Sequence, residues 1–248
     1  MVIAIANHKG GSGKTTTTIN LGVALSNLGK KVLLIDLDPQ GNLSYSLGIS
    51  DDAPTIADVI TGSKILDEVL VEREGLHVAP SNMFLADIEL SIQGVKDRLF
   101  VLKSLLDSYV KEYDYVLIDC SPSKSLLTIN ALVLADKVIT TILLDVLSVQ
   151  GLNQINRTIY DVKRGFNKNL SFIGILPINV DLRSNISKEI LTFVEKNFDI
   201  PLIKTYIRSC VKFAEAPSFG ESVFAYAPHS TGAEDYHVLA KEIILLNS

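Results

Sequence analysis

Lys9-Gly10-Gly11-Ser12-Gly13-Lys14-Thr15-Thr16 follows a short run of apolar and small residues, Val2 to Ala6, and opens a helical pattern from Thr16 to Leu28. A glycine-rich turn between a buried strand and a helix start reads as a phosphate cradle. Successive N–H groups of the turn point inward, and the first helical turn adds unpaired N–H groups and the positive end of its dipole. Gly10, Gly11 and Gly13 keep the backbone open to a polyphosphate or permit positive φ, and Ser12 and Thr16 complete the stretch. Lys14 is predicted to reach β- and γ-phosphate oxygens, and the Thr15 hydroxyl to be a ligand to Mg²⁺. The residue four places before Ser12 is His8 instead of the glycine of the common P-loop spacing, and an extra lysine, Lys9, heads the motif.

Two more strand ends carry carboxylates. Val32-Leu33-Leu34-Ile35-Asp36 is apolar on both faces, as an interior strand of a parallel sheet must be, and closes a βαβ unit with the first strand. It runs into Asp36-Leu37-Asp38-Pro39-Gln40-Gly41-Asn42, at the sheet edge where open α/β folds place their chemistry. Asp38 is the candidate for orienting the attacking water, and Asp36 is expected close to the Mg²⁺ shell. Tyr115-Val116-Leu117-Ile118-Asp119 repeats the pattern, with Asp119 as the carboxylate that holds Mg²⁺ through water.

Elsewhere the pattern predicts helices near 55–60, 84–90, 95–110, 121–134, 148–164, 184–197 and 231–246. Strands are predicted at 76–79, 138–144, 171–177 and 202–207. Their alternation implies a doubly wound, mostly parallel α/β sheet flanked by helices, in one domain over 1–248. The net charge of −5 argues against bulk attraction to nucleic acid, so any such surface is a local patch. Cys120 and Cys210 have no metal spacing and fit a reducing compartment. With no apolar run near ~20 residues and a strand beginning at Met1-Val2-Ile3, a cytoplasmic protein without an N-terminal helix-turn-helix extension is expected.

These residues resemble the ParA/Soj family of partition ATPases, in the deviant-Walker branch of P-loop proteins that also holds MinD. The likeness spans nearly the whole chain. It rests on Lys9–Thr16, Asp36–Asn42, Asp114–Cys120, Leu127–Leu132, Gly151-Leu152, Ala214–Ser218 and Thr231–Tyr236. It implies an ATPase that uses ATP and Mg²⁺, closes as a homodimer when ATP is bound, and reopens on hydrolysis stimulated by a ParB-like or other cargo adaptor. Lys9 would reach across the dimer to the partner's nucleotide and take part in catalysis with Lys14, Asp38 and Asp36. The loop holding Arg208 and Cys210, together with Asn179, would lie near the base. The dimer would bind DNA without sequence preference through Arg183 and Lys212, with Lys163, Arg164 and Arg208 extending the patch, and so position a plasmid, chromosome or other cargo.

The chain departs from the family pattern at Ser121, Lys124 and Thr141, and carries Ser209, His229 and Thr231 where relatives often place basic residues. Two other readings belong to the same branch. A MinD-like membrane ATPase would need a basic amphipathic C-terminal helix, whereas Ile243-Ile244-Leu245-Leu246 reads as the inner face of a packed helix; no membrane partner is therefore expected. A metabolic ATPase would couple ATP to electron transfer or to ligation of a small molecule; its iron–sulfur version would need cysteines of two subunits to converge on one cluster, and Cys120 and Cys210 are not so placed.

Overall fold

A computed structural model describes residues 1–181 and 183–246. The first strand, β1 (Val2–Ile5), leads through the glycine turn into α1 (Lys14–Asn27), and β2 (Val32–Leu37) into the short α2 (Asn42–Ser46) and α3 (Ile56–Thr61). A hairpin of β3 (Val71–Arg73) and β4 (Leu76–Ala79) precedes α4 (Phe84–Ile92), α5 (Val101–Leu106), β5 (Tyr115–Cys120) and α6 (Leu126–Leu134). Next come β6 (Lys137–Leu143), α7 (Val146–Gly165), β7 (Ser171–Ile178) and α8 (Asn185–Asn197). The short α9 (Lys212–Glu215) and α10 (Val223–Tyr226) lead to α11 (Thr231–Leu245).

The strands pair in the order β3-β4-β2-β5-β1-β6-β7, all parallel except the edge strand β3. Alternation along the strands divides the core. Val2, Ala4, Leu33, Ile35, Val116 and Ile118 face α3 to α8, while Ile3, Ile5, Val32, Leu34, Tyr115 and Leu117 face α1, α2 and α11. Both sheet faces are thus covered, which accounts for strands with no polar side. The carboxyl ends of β1, β2, β5, β6 and β7 share one edge, and β1, between β5 and β6, delivers the glycine turn to its centre.

Three sequence expectations change. The helix predicted over 95–110 shortens to α5 plus a 3₁₀ turn at Tyr109–Glu112, because Asp97 takes φ 60° and caps a separate turn with Phe100. The strand predicted over 202–207 runs beside β7 but pairs only through bridges at Leu202 and Arg208. Pro177 in β7 has no N–H to give, so the ladder is interrupted there. At the C-terminus only Ile243 and Ile244 pack inward, whereas Leu245 and Leu246 are exposed; residues 247 and 248 of that tail lie outside the described residues. Among the described residues no helix is long and apolar enough to cross a membrane.

Candidate nucleotide site

Gly11 and Gly13 take φ of 68° and 74°, the left-handed region the turn needs, while Gly10 does not and a Cβ there would meet open space. Gly13 caps α1 and its carbonyl accepts the N–H of Thr17 at 2.9 Å. The turn is braced from β6: Asn7 Nδ2 donates to the Thr141 carbonyl at 2.6 Å, and the Thr141 hydroxyl meets buried Ser12 Oγ at 3.4 Å. Lys14 is buried, with Nζ 3.3 Å from the Lys9 carbonyl across the turn. Desolvation lowers its pKa against the pull of Asp119 and Asp38, so its ammonium is short of counter-charge in the bare site.

Strand register sets the acidic half. Asp36 and Asp119 are paired positions on neighbouring β2 and β5. Thr15 Oγ1 donates to Asp119 Oδ2 at 2.6 Å, and buried Asp119 Oδ1 has no partner. Burial and then repulsion from Asp36 push Asp119 up to about 8. Burial pushes Asp36 up to about 6 against the bonds it accepts from the Ser44 hydroxyl at 2.8 Å, Ser44 N–H and Asp38 N–H. Asp36 is therefore engaged in holding the Asp38 turn and α2. The sequence reading missed Ser44, which also accepts the N–H of Ser81. Two crowded buried carboxyls, a free Asp119 oxygen and an adjacent hydroxyl fit a divalent cation. No group of three His, Cys, Asp or Glu converges among the described residues, so phosphate oxygens and water would supply its other ligands.

These shifts fix a pH dependence. The folded chain holds protons on Asp36 and Asp119 more tightly than the unfolded chain, whose Asp pKa is about 3.9. Stability without nucleotide is therefore expected to fall as pH rises from about 4 through about 8. Melting curves at pH 5.5 and 8.5 should show that fall, and Asp119→Asn should flatten it. An equal fall in Asp119→Asn would refute the assignment.

Asp38 is nearly buried; its Oδ1 accepts the Gln40 N–H at 3.0 Å, and among the described residues nothing bonds to Oδ2. Beyond Gly11, Gly13 and Thr16, a cavity of about 300 Å³ is lined by Asn179, Arg208, Cys210, Phe213 and Tyr236. Asn179 holds φ 54° at the end of β7. The Arg208 guanidinium points away to α11, donating to Asp235 at 2.6 Å and Glu234 at 2.6 Å, so its side chain shapes the cavity wall without reaching for a base.

The basic residues do not form one patch. Arg183 is exposed and clasps Asp181 through Nε and a terminal nitrogen at 2.9 and 2.8 Å; Lys212 pairs with Glu215 at 2.8 Å. Lys163 and Arg164 end α7 beside the loop where Asn167 bonds the α6 terminus, at the opposite edge of the sheet. The expected continuity of Lys163 and Arg164 with Arg183 fails because α7 runs the full depth of the sheet, about 30 Å at 1.5 Å per residue. Lys9 is turned onto α7, where Nζ meets Asp145 at 2.8 Å.

The sequence profile of the AAA-domain family matches residues 1–172. The sporulation initiation inhibitor protein Soj of Bacillus subtilis is 39% identical over 98% of this chain and 97% of its own length. The chromosome-partitioning ATPase Soj of Treponema pallidum is 35% identical over 98% of this chain and 96% of its own. Among solved structures, cobyrinic acid a,c-diamide synthase from Mycobacterium smegmatis with bound ADP and magnesium superposes with a TM-score of 0.87 at 34% identity, covering 98% of this chain and 93% of that one. Together with the glycine turn, its paired lysines and the two strand-end aspartates, these likenesses make the chain a member of the ParA/Soj family of P-loop ATPases.

Proposed function

We propose that this chain is a Mg²⁺-dependent ATPase whose nucleotide state sets its association with a second copy and with DNA, and that it positions a chromosome, plasmid or other cargo together with a ParB-like or other adaptor. The observation that carries the reading is the convergence of Lys14, Thr15 and Asp119 on one glycine turn, with Lys9 on its outer rim. Relatives named for ATP hydrolysis and chromosome partitioning support it. The turn's N–H groups and Lys14 bind and neutralise the β- and γ-phosphates. Thr15 and, through water, Asp119 would hold Mg²⁺, which would supply positive charge to offset the negative charge developing on the phosphates. Asp38 orients the attacking water and takes its proton on Oδ2. Lys9 of one copy completes the charge balance at the other copy's site, which makes dimerisation and nucleotide binding one linked equilibrium.

DNA binding rests on Arg183 and Lys212, both near the nucleotide edge and both partly neutralised by their own carboxylate neighbours. Random-sequence duplex should bind more tightly with a non-hydrolysed ATP analogue than with ADP. Arg183→Glu should weaken it several-fold and shallow the salt dependence, since each lost phosphate contact removes roughly one released counterion. Anisotropy titrations at two salt concentrations check this. Equal binding by wild type and both Arg183→Glu and Lys212→Glu would place the DNA face elsewhere or remove it. Phosphate release from ATP with no acceptor molecule present separates this reading from ATP-coupled ligation of a small molecule.

A further inference from the structure

Residues 121–125 connect the end of β5 to α6, and they leave the sheet beside the glycine turn because Ile5 and Asp119 are paired positions on β1 and β5. The charge of Lys124 in this connection reaches His8 of the turn: after burial, it is the next cause that holds the His8 imidazole below its ordinary range. The connection hangs on the first turn of α6. The Thr128 hydroxyl donates to the Ser123 carbonyl at 3.1 Å, Ser125 Oγ accepts the Thr128 N–H at 3.1 Å, and the Ser121 and Ser123 hydroxyls lie 3.1 Å apart. The two amides that open this turn are paired from outside the helix. Glu89 Oε1, on α4, accepts the Leu126 N–H at 2.5 Å and the Leu127 N–H at 3.3 Å. A carboxylate there meets two donors that the helix itself cannot pair, together with the positive end of its dipole. The other end of α4 is tied to the Asp38 side of the site. Asn82 Oδ1 accepts the Phe84 N–H at 3.1 Å, and the preceding Ser81 gives its N–H to Ser44, whose hydroxyl donates to Asp36. The Asp38 turn packs directly on this segment, since a Cβ on Gly41 would lie 2.8 Å from the Ser81 carbonyl oxygen.

We propose that Glu89 is a positioning residue for ATP hydrolysis: it fixes the start of α6 against α4, and thereby holds the connection that follows Asp119 in one placement relative to the Asp38 turn. The inference rests on the ATPase reading above for its consequence, whereas the contact itself stands on the single chain. Bonds from backbone amides to a carboxylate are charge-assisted and stronger than neutral ones. Without Glu89, the Leu126 and Leu127 amides lose that acceptor and the connection gains freedom. The rest of α6 stays anchored, because Asn130 Oδ1 accepts the Leu102 N–H at 3.1 Å and Leu127, Ala131 and Leu132 are buried. The disturbance is therefore local. Binding of ATP by the glycine turn and Lys14 is spared, while the hydrolytic step, which needs the two acidic segments in register, is slowed.

Glu89→Ala removes the acceptor, and Glu89→Gln keeps an uncharged oxygen at the same reach. In the nucleotide-free full chain, hydrogen exchange of the Leu126 and Leu127 amides, read by mass spectrometry, should be at least about tenfold faster in Glu89→Ala, the factor expected for one lost charge-assisted bond. Glu89→Gln should exchange at a rate between those of Glu89→Ala and wild type. Single-turnover hydrolysis should slow at least about tenfold in Glu89→Ala, with the ATP dissociation constant within about twofold of wild type, and Glu89→Gln should recover most of the rate. Unchanged exchange would overturn the contact. Faster exchange with normal hydrolysis would leave Glu89 a purely structural cap and overturn the positioning role, as would a Glu89→Gln protein no faster than Glu89→Ala. Should Glu89→Ala not fold, Glu89→Asp takes its place with the same two expectations, since it keeps the charge but is one methylene too short to reach both amides. Should wild type release no phosphate from ATP, the ATPase reading fails and the positioning role with it, while the exchange rates still report whether Glu89 caps α6.

Discussion

Lys14→Ala is expected to lower affinity for Mg·ATP by at least about 100-fold while leaving the nucleotide-free protein as stable as wild type. A buried ammonium bonded to two phosphate oxygens contributes charge-assisted bonds of about 1.5–3 kcal/mol each, and about 1.4 kcal/mol corresponds to a factor of ten. Without ligand the balance is different. Desolvation already holds the Lys14 ammonium below its usual pKa, and among the described residues its one bond is the long contact to the Lys9 carbonyl. Deleting it therefore removes little that stabilises the bare fold. Isothermal titration with ATP and Mg²⁺, paired with melting curves, separates the two effects. The variant's melting temperature without nucleotide should stay within about 2 °C of wild type or rise, and the increase on adding nucleotide should vanish. Retained affinity would remove the phosphate-cradle assignment, and a large loss of stability without nucleotide would mean that Lys14 is chiefly structural.

Asp38→Ala is expected to keep ATP binding and ATP-driven association but to reduce turnover by about 10²–10⁴-fold, the range for a lost general base. Among the described residues the Asp38 carboxylate accepts one bond, from the Gln40 N–H, and its other oxygen is unbonded. Asp36, by contrast, is tied to Ser44 and the Asp38 backbone, so Asp36→Ala should destabilise the fold by leaving those donors buried and unpaired. Single-turnover phosphate release distinguishes the two residues. Normal turnover in Asp38→Ala would exclude it as the water-orienting group, and Asp36 would then be too enclosed to take its place.

Much of the fold was readable because its deciding features are local. The strand, glycine turn and helix of Val2 to Asn27 lie within one stretch of chain, and apolar strands ending in Asp36 and Asp119 mark the catalytic edge by themselves. Features set by distant partners were not readable. Ser44 sits on a five-residue helix too short to show a period, and its role appears only when β2 and α2 bring it onto Asp36. Asp145 lies 136 positions from Lys9 and looks like an ordinary helix cap until β1 and β6 become neighbours. The same blindness joined Lys163 and Arg164 to a patch at the other edge, since sequence gives a helix its length but not where it begins on the sheet. Arg208 points to Asp235 for a similar reason: α11 brings Asp235 and the cavity-lining Tyr236 back beside it.

Lys9 of one copy is proposed to complete the nucleotide site of another. Light scattering coupled to gel filtration, with a non-hydrolysed ATP analogue and Mg²⁺, tests it in wild type and Lys9→Ala. Wild type should elute at twice the 27.1 kDa chain mass with the analogue and at the single-chain mass with ADP, whereas Lys9→Ala should stay single with either while still binding the analogue. A Lys9→Ala protein that pairs as readily as wild type would contradict the account.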